Sequence, residues 1–254
     1  MSYPSQQLAG RVALVTGGAG GLGQAICQAL AAEGSSVIVG YHRSGAAAAQ
    51  VAAALPATPM GHAAMAAPVT DSAMLAQLAT AIDARFGALD ILVNCAGTTR
   101  FVAHADLDAL DDTLIDEILA TNVRGPFAAV RALRPLLARS AHALVVNISS
   151  VAATSAMGSN IMYCASKAAV DNMTRSLARA LAPRIRVLSV APGLVDTDFV
   201  QGLDANWRAE QSARTPLARL ADPTEVARAV TAAATHLTFS TGAILTVDGG
   251  RLLA

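Results

Sequence analysis

Short apolar runs alternate with longer amphipathic stretches along these 254 residues. The runs fall at 12–15, 37–39, 91–93, 143–148, 187–190 and 244–247, and their length and β-branched content suit buried strands. Between them, apolar positions spaced three and four apart predict helices over 23–33, 72–86, 114–139, 163–181 and 224–236. The last of these has a readable start, with Asp222 as cap, Pro223 in the first position and Glu225 where a capping-box acid belongs. Strand and helix taking turns imply a parallel sheet covered on both faces, a doubly wound α/β fold. In such sheets ligands bind beyond the carboxyl ends of the strands. No internal repeat of helical-array length is present.

Composition narrows the function. Lys+Arg and Asp+Glu balance at 18 each, so no basic surface points to nucleic acid. The apolar content of 54% is largely alanine, and the uncharged stretch 44–70 is broken by Pro56, Pro59 and Pro68, which argues against a membrane span. Residues 1–10 lack a basic segment followed by an apolar one, so a soluble, cytoplasmic protein is expected. The three cysteines, Cys27, Cys95 and Cys164, have neither disulfide arithmetic nor metal-ligand spacing, and no metal is expected. Cys164 reads as a small buried filler, with a reactive thiol as the alternative.

Directly after the first run comes Thr16-Gly17-Gly18-Ala19-Gly20-Gly21-Leu22-Gly23, leading into a helical pattern. Glycines there let backbone N–H groups, notably across Gly17, Gly20, Gly21, Leu22 and Gly23, approach a pyrophosphate at a helix N-terminus. A phosphate-binding P-loop would need a lysine that this loop lacks. The second run ends Tyr41-His42-Arg43-Ser44 with no carboxylate for a ribose 2′-hydroxyl. Arg43, Ser44 and His42 suit a 2′-phosphate instead, so NADP(H) is favoured over NAD(H).

The chain has 18 basic residues, and only one, Lys167, is a lysine. It lies four residues after Tyr163, and on a helix that spacing brings the two side chains onto one face, with Cβ atoms about 6 Å apart. An ammonium beside a phenol stabilises the phenolate, which suits the phenol for general acid–base work. A compact ammonium can also reach two neighbouring hydroxyls, as arginine's planar fork cannot.

The glycine loop, Asn94-Cys95-Ala96-Gly97, Asn122, Ser150, Tyr163 to Lys167, Pro192-Gly193 and Val247-Asp248-Gly249-Gly250, in this order and spacing, resemble the short-chain dehydrogenase/reductase family, carbonyl reductases of the 3-oxoacyl-carrier-protein type included. The resemblance runs from about Leu8 onward. It implies a single Rossmann-type dinucleotide-binding and catalytic domain over 1–254, with 1–9 as a tail, and a tetrad of Asn122, Ser150, Tyr163 and Lys167. In that scheme Tyr163 gives or takes the proton on the substrate oxygen and Ser150 orients that oxygen. Lys167 assists Tyr163 and holds the nicotinamide ribose, and Asn122 anchors a water leading to solvent. Val69, Asn94, Ala96 and Gly97 would line the adenosine, and Pro192, Gly193, Val195 and Thr197 the nicotinamide carboxamide. Three departures stand out: Cys95 replaces an asparagine, Pro68 stands where an aspartate often contacts adenine (leaving Asp71 as a helix cap), and Gly20 stands where NADP-preferring relatives often carry a basic residue.

The stretch 193–214 loses clear periodicity and holds Phe199, Leu203 and the only tryptophan, Trp207. In relatives it is a mobile substrate lid, and its apolar anchors, with Phe101, Met157 and Ile161, suit a moderately hydrophobic ketone or secondary alcohol. Helices 114–139 and 163–181 carry more alanine and leucine than one sheet face can cover, so a homotetramer or homodimer is expected. A non-catalytic dinucleotide sensor would not need the tetrad, and a serine hydrolase would need a G-x-S-x-G elbow around Ser150.

Overall fold

A computed structural model describes residues 6–197, 200 and 204–253. Its centre is a seven-stranded, wholly parallel sheet in the order β3-β2-β1-β4-β5-β6-β7. The strands are β1 (Val12–Thr16), β2 (Ser36–Tyr41), β3 (Ala63–Ala66), β4 (Ile91–Asn94), β5 (Leu144–Ile148), β6 (Arg186–Pro192) and β7 (Ile244–Val247). Helices α1 (Gly21–Ala32), α2 (Gly45–Ala54) and α3 (Ser72–Phe86) connect the first strands. They are followed by α4 (Asp112–Leu119), α5 (Gly125–Leu137), the single turn α6 (Ala152–Ser155), α7 (Ile161–Leu181), α8 (Ala205–Ala213) and α9 (Pro223–Thr235). Among the described residues no helix is long and apolar enough to cross a membrane.

Because side chains alternate along a strand, each inner strand feeds two cores. Ala13, Val15, Val93, Val146 and Val190 face α1 and α9, while Leu14, Leu92, Val145 and Val187 face α3, α5 and the far end of α7. Local chemistry sets the helix ends. The Asp71 carboxylate accepts from the N–H groups of Ala73 and Met74 to start α3, and Gly87, at φ 73°, ends it. Asp222 and Glu225 form the capping box of α9, where the Arg219 guanidinium holds the Glu225 carboxyl down at about 2.

Four expectations need correction. Strand β3 and helix α2 were absent from the periodicity, because both are built largely of alanine and show no apolar contrast. The stretch 114–139 is helical from 114 to 137 as expected but not one regular α-helix, since a π turn at Ala120–Arg124 lies between α4 and α5. The stretch 193–214 contains a regular helix, α8, capped by Asp204; Phe199 and Leu203 lie outside the described residues. The surplus leucine is not on the surface: Leu133, Leu136 and Leu137 are buried, and α5 turns Phe127, Arg131 and Arg134 outward. On α7 the outward strip is Ile161, Ala165, Ala168 and Asn172.

Candidate active site

The loops after β1, β4, β5 and β6 meet at the carboxyl edge of the sheet. Gly17 has φ 66°, and a Cβ there would lie 2.9 Å from Ala96 Cα. At Gly23 a Cβ would lie 2.2 Å from the Gly17 carbonyl oxygen. The chain's own backbone therefore demands those two glycines. Around Gly20 and Gly21 the nearest atoms stand 3.5 Å away and both residues are exposed, so what their bareness admits is an approach from outside. Gly20 begins α1 with no side-chain cap and no acid in the first turn, which leaves backbone N–H groups free for an anion. These features fit a dinucleotide pyrophosphate. Thr16, one position before the glycines, stitches the loops together. Its hydroxyl accepts from the N–H groups of Cys95 and Ala96 at 3.1 and 3.2 Å.

At the end of β2 the Tyr41 ring lies over Gly45, 3.2 Å from where a Cβ would stand. His42, Arg43 and Ser44 are exposed. Ser44 opens α2 without using its hydroxyl as a cap, and Arg43 makes no hydrogen bond or ion pair among the described residues. Val69 is buried against Gly125.

Asn160 caps α7. Its Oδ1 accepts from Tyr163 N–H at 2.6 Å, and its Nδ2 donates to Thr99 Oγ1 and to the Arg100 carbonyl at 3.2 and 2.8 Å. Only 1% of it is exposed, so the first turn of α7 is fastened to the loop after β4. One turn further, Lys167 is 7% exposed, donates from Nζ to the Ile148 carbonyl at 2.9 Å, and stands 5.6 Å from the centre of the Tyr163 ring. Ser150, just past β5, accepts from Ala152 N–H at 3.1 Å, and its own O–H stays free to donate. Asn122 sits in the π turn, with Oδ1 accepting from Thr98 N–H at 2.8 Å and Nδ2 donating to the Thr98 carbonyl and Ser166 Oγ. A Cβ on Gly97 would lie 3.4 Å from Asn122 Oδ1 and 3.9 Å from Lys167 Nζ, so Asn122 and Lys167 both reach the same glycine.

Asn94 behaves differently from its neighbours Ala96 and Gly97. It is 3% exposed, and its Nδ2 donates to Asn147 Oδ1, whose own amide continues to Thr174 Oγ1 on α7. That buried chain braces β4, β5 and α7 beneath the site. The three cysteines are free thiols. Burial pushes Cys95 up to about 11 against the pull of the Lys167 ammonium, and burial also raises Cys27 and Cys164. Cys164 packs beside Gly158, where a Cβ would approach its sulfur to 2.9 Å, which is how a filler sits.

After β6, the Pro192 carbonyl accepts from Val151 N–H at 3.0 Å and Gly193 N–H donates to Val247 at 2.9 Å. A Cβ on Gly193 would meet Asp248 Cα at 3.0 Å. Val195 bridges to Ala221, and Thr197 curls back until its methyl stands 3.6 Å from where a Gly21 Cβ would be. Asp196 ties this segment to α8 through Arg208 at 2.6 Å. Phe101, Met157 and Ile161 are 75%, 61% and 38% exposed. A cavity of about 570 Å³ beside α8, lined by Asp196, Arg208, Ser212, Arg219 and Asp222 among others, includes none of the four tetrad residues. Asn147 and Asn160 escaped the sequence reading, as did the loop-joining role of Thr16, which was read only as the first residue of the glycine motif. Only Asn160 carried a signal, an asparagine at capping distance before Tyr163.

Comparison with known proteins adds names to this geometry. The family described as short chain dehydrogenase matches residues 11–207. A Streptomyces violaceoruber protein named for ketoacyl reductase 2 of the granaticin polyketide synthase is 41% identical over 241 residues, spanning 94% of this chain and 95% of the relative. The cis-4-hydroxycyclohexanecarboxylate dehydrogenase of Sinomonas cyclohexanicum is 40% identical, spanning 96% and 98%. The 3-oxoacyl-[acyl-carrier-protein] reductase of Escherichia coli (strain K12) is 36% identical, spanning 95% and 97%. Among solved structures, a Brucella melitensis short-chain dehydrogenase/reductase described as a glucose/ribitol dehydrogenase superposes with a TM-score of 0.89 over the full length of both chains at 28% identity.

Proposed function

The chain belongs to the short-chain dehydrogenase family, and from that premise we propose an NADP(H)-dependent reductase of ketones, or dehydrogenase of secondary alcohols, with Tyr163 as general acid and base. The observation that carries this reading is the lone lysine, buried, anchored on Ile148 and held 5.6 Å from the Tyr163 ring. A buried ammonium is costly unless charge develops beside it, and a phenol losing its proton supplies that charge.

The nicotinamide, when bound, supplies or accepts the hydride. Gly21, Leu22 and Gly23 would hold the pyrophosphate with backbone N–H groups, while Gly17 and Gly20 shape the loop, the Gly20 N–H donating to the Gly17 carbonyl at 3.1 Å. Tyr41, Val69, Ala96 and Gly97 would flank the adenosine, with Asn94 supporting from below. Pro192, Gly193, Val195 and Thr197 would face the carboxamide. Tyr163 moves the proton at the substrate oxygen, while the free O–H of Ser150 points a dipole at that oxygen, where negative charge grows. Lys167 stabilises the phenolate and reaches the ribose hydroxyls. The unengaged Arg43 and the free Ser44 hydroxyl support NADP(H), since a 2′-phosphate is held best by charge-assisted bonds.

The relatives' names, a ketoacyl reductase and a cyclohexanecarboxylate dehydrogenase, bracket the substrate class: a carbonyl or alcohol on an acyl chain or a small ring. The exposed Phe101, Met157 and Ile161 would give such a substrate an apolar wall under the lid 193–214. We propose one catalytic unit, cytoplasmic, with no nucleic-acid or membrane partner, assembled as a homotetramer or homodimer. Arg131 and Arg134 of α5 and Asp112, Asp116 and Glu117 of α4 are all exposed, opposite charges that would suit a second copy packed there. The test is NADPH and NADH consumption across 3-oxoacyl thioesters and cyclic ketones. Turnover preferring NADPH supports the reading, and none with any ketone or alcohol in either direction removes it.

A further inference from the structure

Helix α8 has nine residues and buries only one of them, Gln211, at 7% exposed. A helix this short is marginal by itself and is ordinarily held by an apolar face packed on a core. With a glutamine in place of that face, polar bonds have to hold α8. Asp204 caps its start, and Arg208 ties its first turn to Asp196 at 2.6 Å. Neither bond serves its carboxyl end.

That end is met by residues 248–253, beyond β7. Gly249 and Gly250 have φ 64° and 86°, and a Cβ on them would meet Thr215 Cγ2 at 2.8 Å and Pro216 Cγ at 3.1 Å. Bare backbone therefore lets this segment lie flush on the turn after α8, where Leu217 N–H donates to the Gly249 carbonyl at 3.1 Å. In an unbroken α-helix the Gln211 carbonyl would take the N–H of residue 215, but Thr215 N–H goes to the Ser212 carbonyl at 3.0 Å. The orphaned carbonyl accepts from Arg251 Nη1 at 3.1 Å and from Thr215 Oγ1 at 3.0 Å. Arg251 Nη1 also donates to Thr215 Oγ1 at 3.3 Å, and its Nη2 donates to Gln211 Oε1. A guanidinium in this place also faces the negative end of the helix dipole.

The same segment reaches the stretch just after β6. Asp248 Cα stands 3.0 Å from where a Gly193 Cβ would be, and Asp196, three residues further on, is gripped by α8 through Arg208. Residues 193–197 are thus held directly by Asp248 and, by way of α8, by Arg251.

We propose that Arg251 is a positioning residue: by clasping the carboxyl end of α8 it fixes Asp196, and with it Val195 and Thr197, which face the nicotinamide carboxamide. The inference rests on that assignment of Val195 and Thr197 and names what keeps the nicotinamide end of the site in shape. A lysine would serve it only in part, because a single ammonium lacks the planar fork that spans a carbonyl, a hydroxyl and an amide oxygen together.

Trp207, the only tryptophan, lies on α8 and reports on that helix by its fluorescence. In the full chain, Arg251→Ala should raise acrylamide quenching of Trp207 about twofold or more and speed hydrogen exchange of the α8 amides about tenfold or more. The sheet core should hold, with Tm lowered by no more than about 4 °C. The NADPH Kd should rise about tenfold, while adenosine 2′,5′-bisphosphate, which lacks the nicotinamide half, should bind within about twofold of wild type. Arg251→Lys should recover part of the loss. Gln211→Met, which removes the amide at similar length, should shift NADPH affinity the same way by about threefold. Wild-type quenching and exchange in a folded Arg251→Ala protein would overturn the proposal, and so would equal losses for NADPH and the bisphosphate. If α8 loosens and NADPH affinity alone falls while the wild-type protein reduces no ketone, the reductase reading fails and the clasp stands.

Discussion

Around β1 and β4 the proposed dinucleotide cradle is made by leaving side chains out, whereas around β5 and α7 the proposed reactive groups are polar side chains buried and bonded in place. Gly17 and Gly23 have no room for a methyl group, and the threonine beside them joins the loop to the residues after β4. Lys167, Asn122 and Asn160 are at most 7% exposed, and each is held by at least one bond from its polar end. The first region works through backbone shape and tolerates no addition. The second works through particular atoms and tolerates no loss.

That contrast predicts separable failures. Ser150→Ala removes a preoriented donor without touching the cradle, so kcat should fall about 10²–10³-fold while dinucleotide affinity holds; stopped-flow binding beside steady-state turnover would show it. Gly23→Ala should do the reverse. Its methyl would sit 2.2 Å from a carbonyl oxygen, and relief by backbone shift costs about 2–3 kcal/mol. The dinucleotide Kd should then rise about 50- to 100-fold and Tm should drop, both readable in one thermal-shift titration. Arg43→Ala sharpens the comparison at its edge, since Arg43 touches neither region's framework. Losing one charge-assisted bond should cut the preference for NADPH over NADH about tenfold, with Tm unmoved. Equal losses with both dinucleotides would argue against a 2′-phosphate contact.

The same contrast explains what could be read from sequence. Glycines at fixed spacing after an apolar run, and a solitary lysine four residues past a tyrosine, are local signals, and the structure brings both to one edge of the sheet. Strands β1, β4, β5 and β6 were legible to within a few residues, because valine, leucine and isoleucine mark a fully buried parallel sheet. Strand β3 reads Ala-Ala-Met-Ala, and its pairing with β2 rather than its own propensity makes it a strand. The π turn was hidden because one extra residue barely disturbs an apolar stripe; Pro126 was the available clue. The roles of Asn147 and Thr16 could not be read, since their partners lie 27 and 79 residues away and only the tertiary fold joins them.

The central claim is that proton transfer resides in one hydroxyl on α7 while dinucleotide binding resides in the glycine cradle. Tyr163→Phe, assayed for ketone-dependent NADPH oxidation and, by fluorescence titration, for NADPH affinity, tests it most directly. The account predicts turnover lower by about 10³–10⁴-fold with Kd within about threefold of wild type. Turnover within a few-fold of wild type in a folded Tyr163→Phe protein would contradict it.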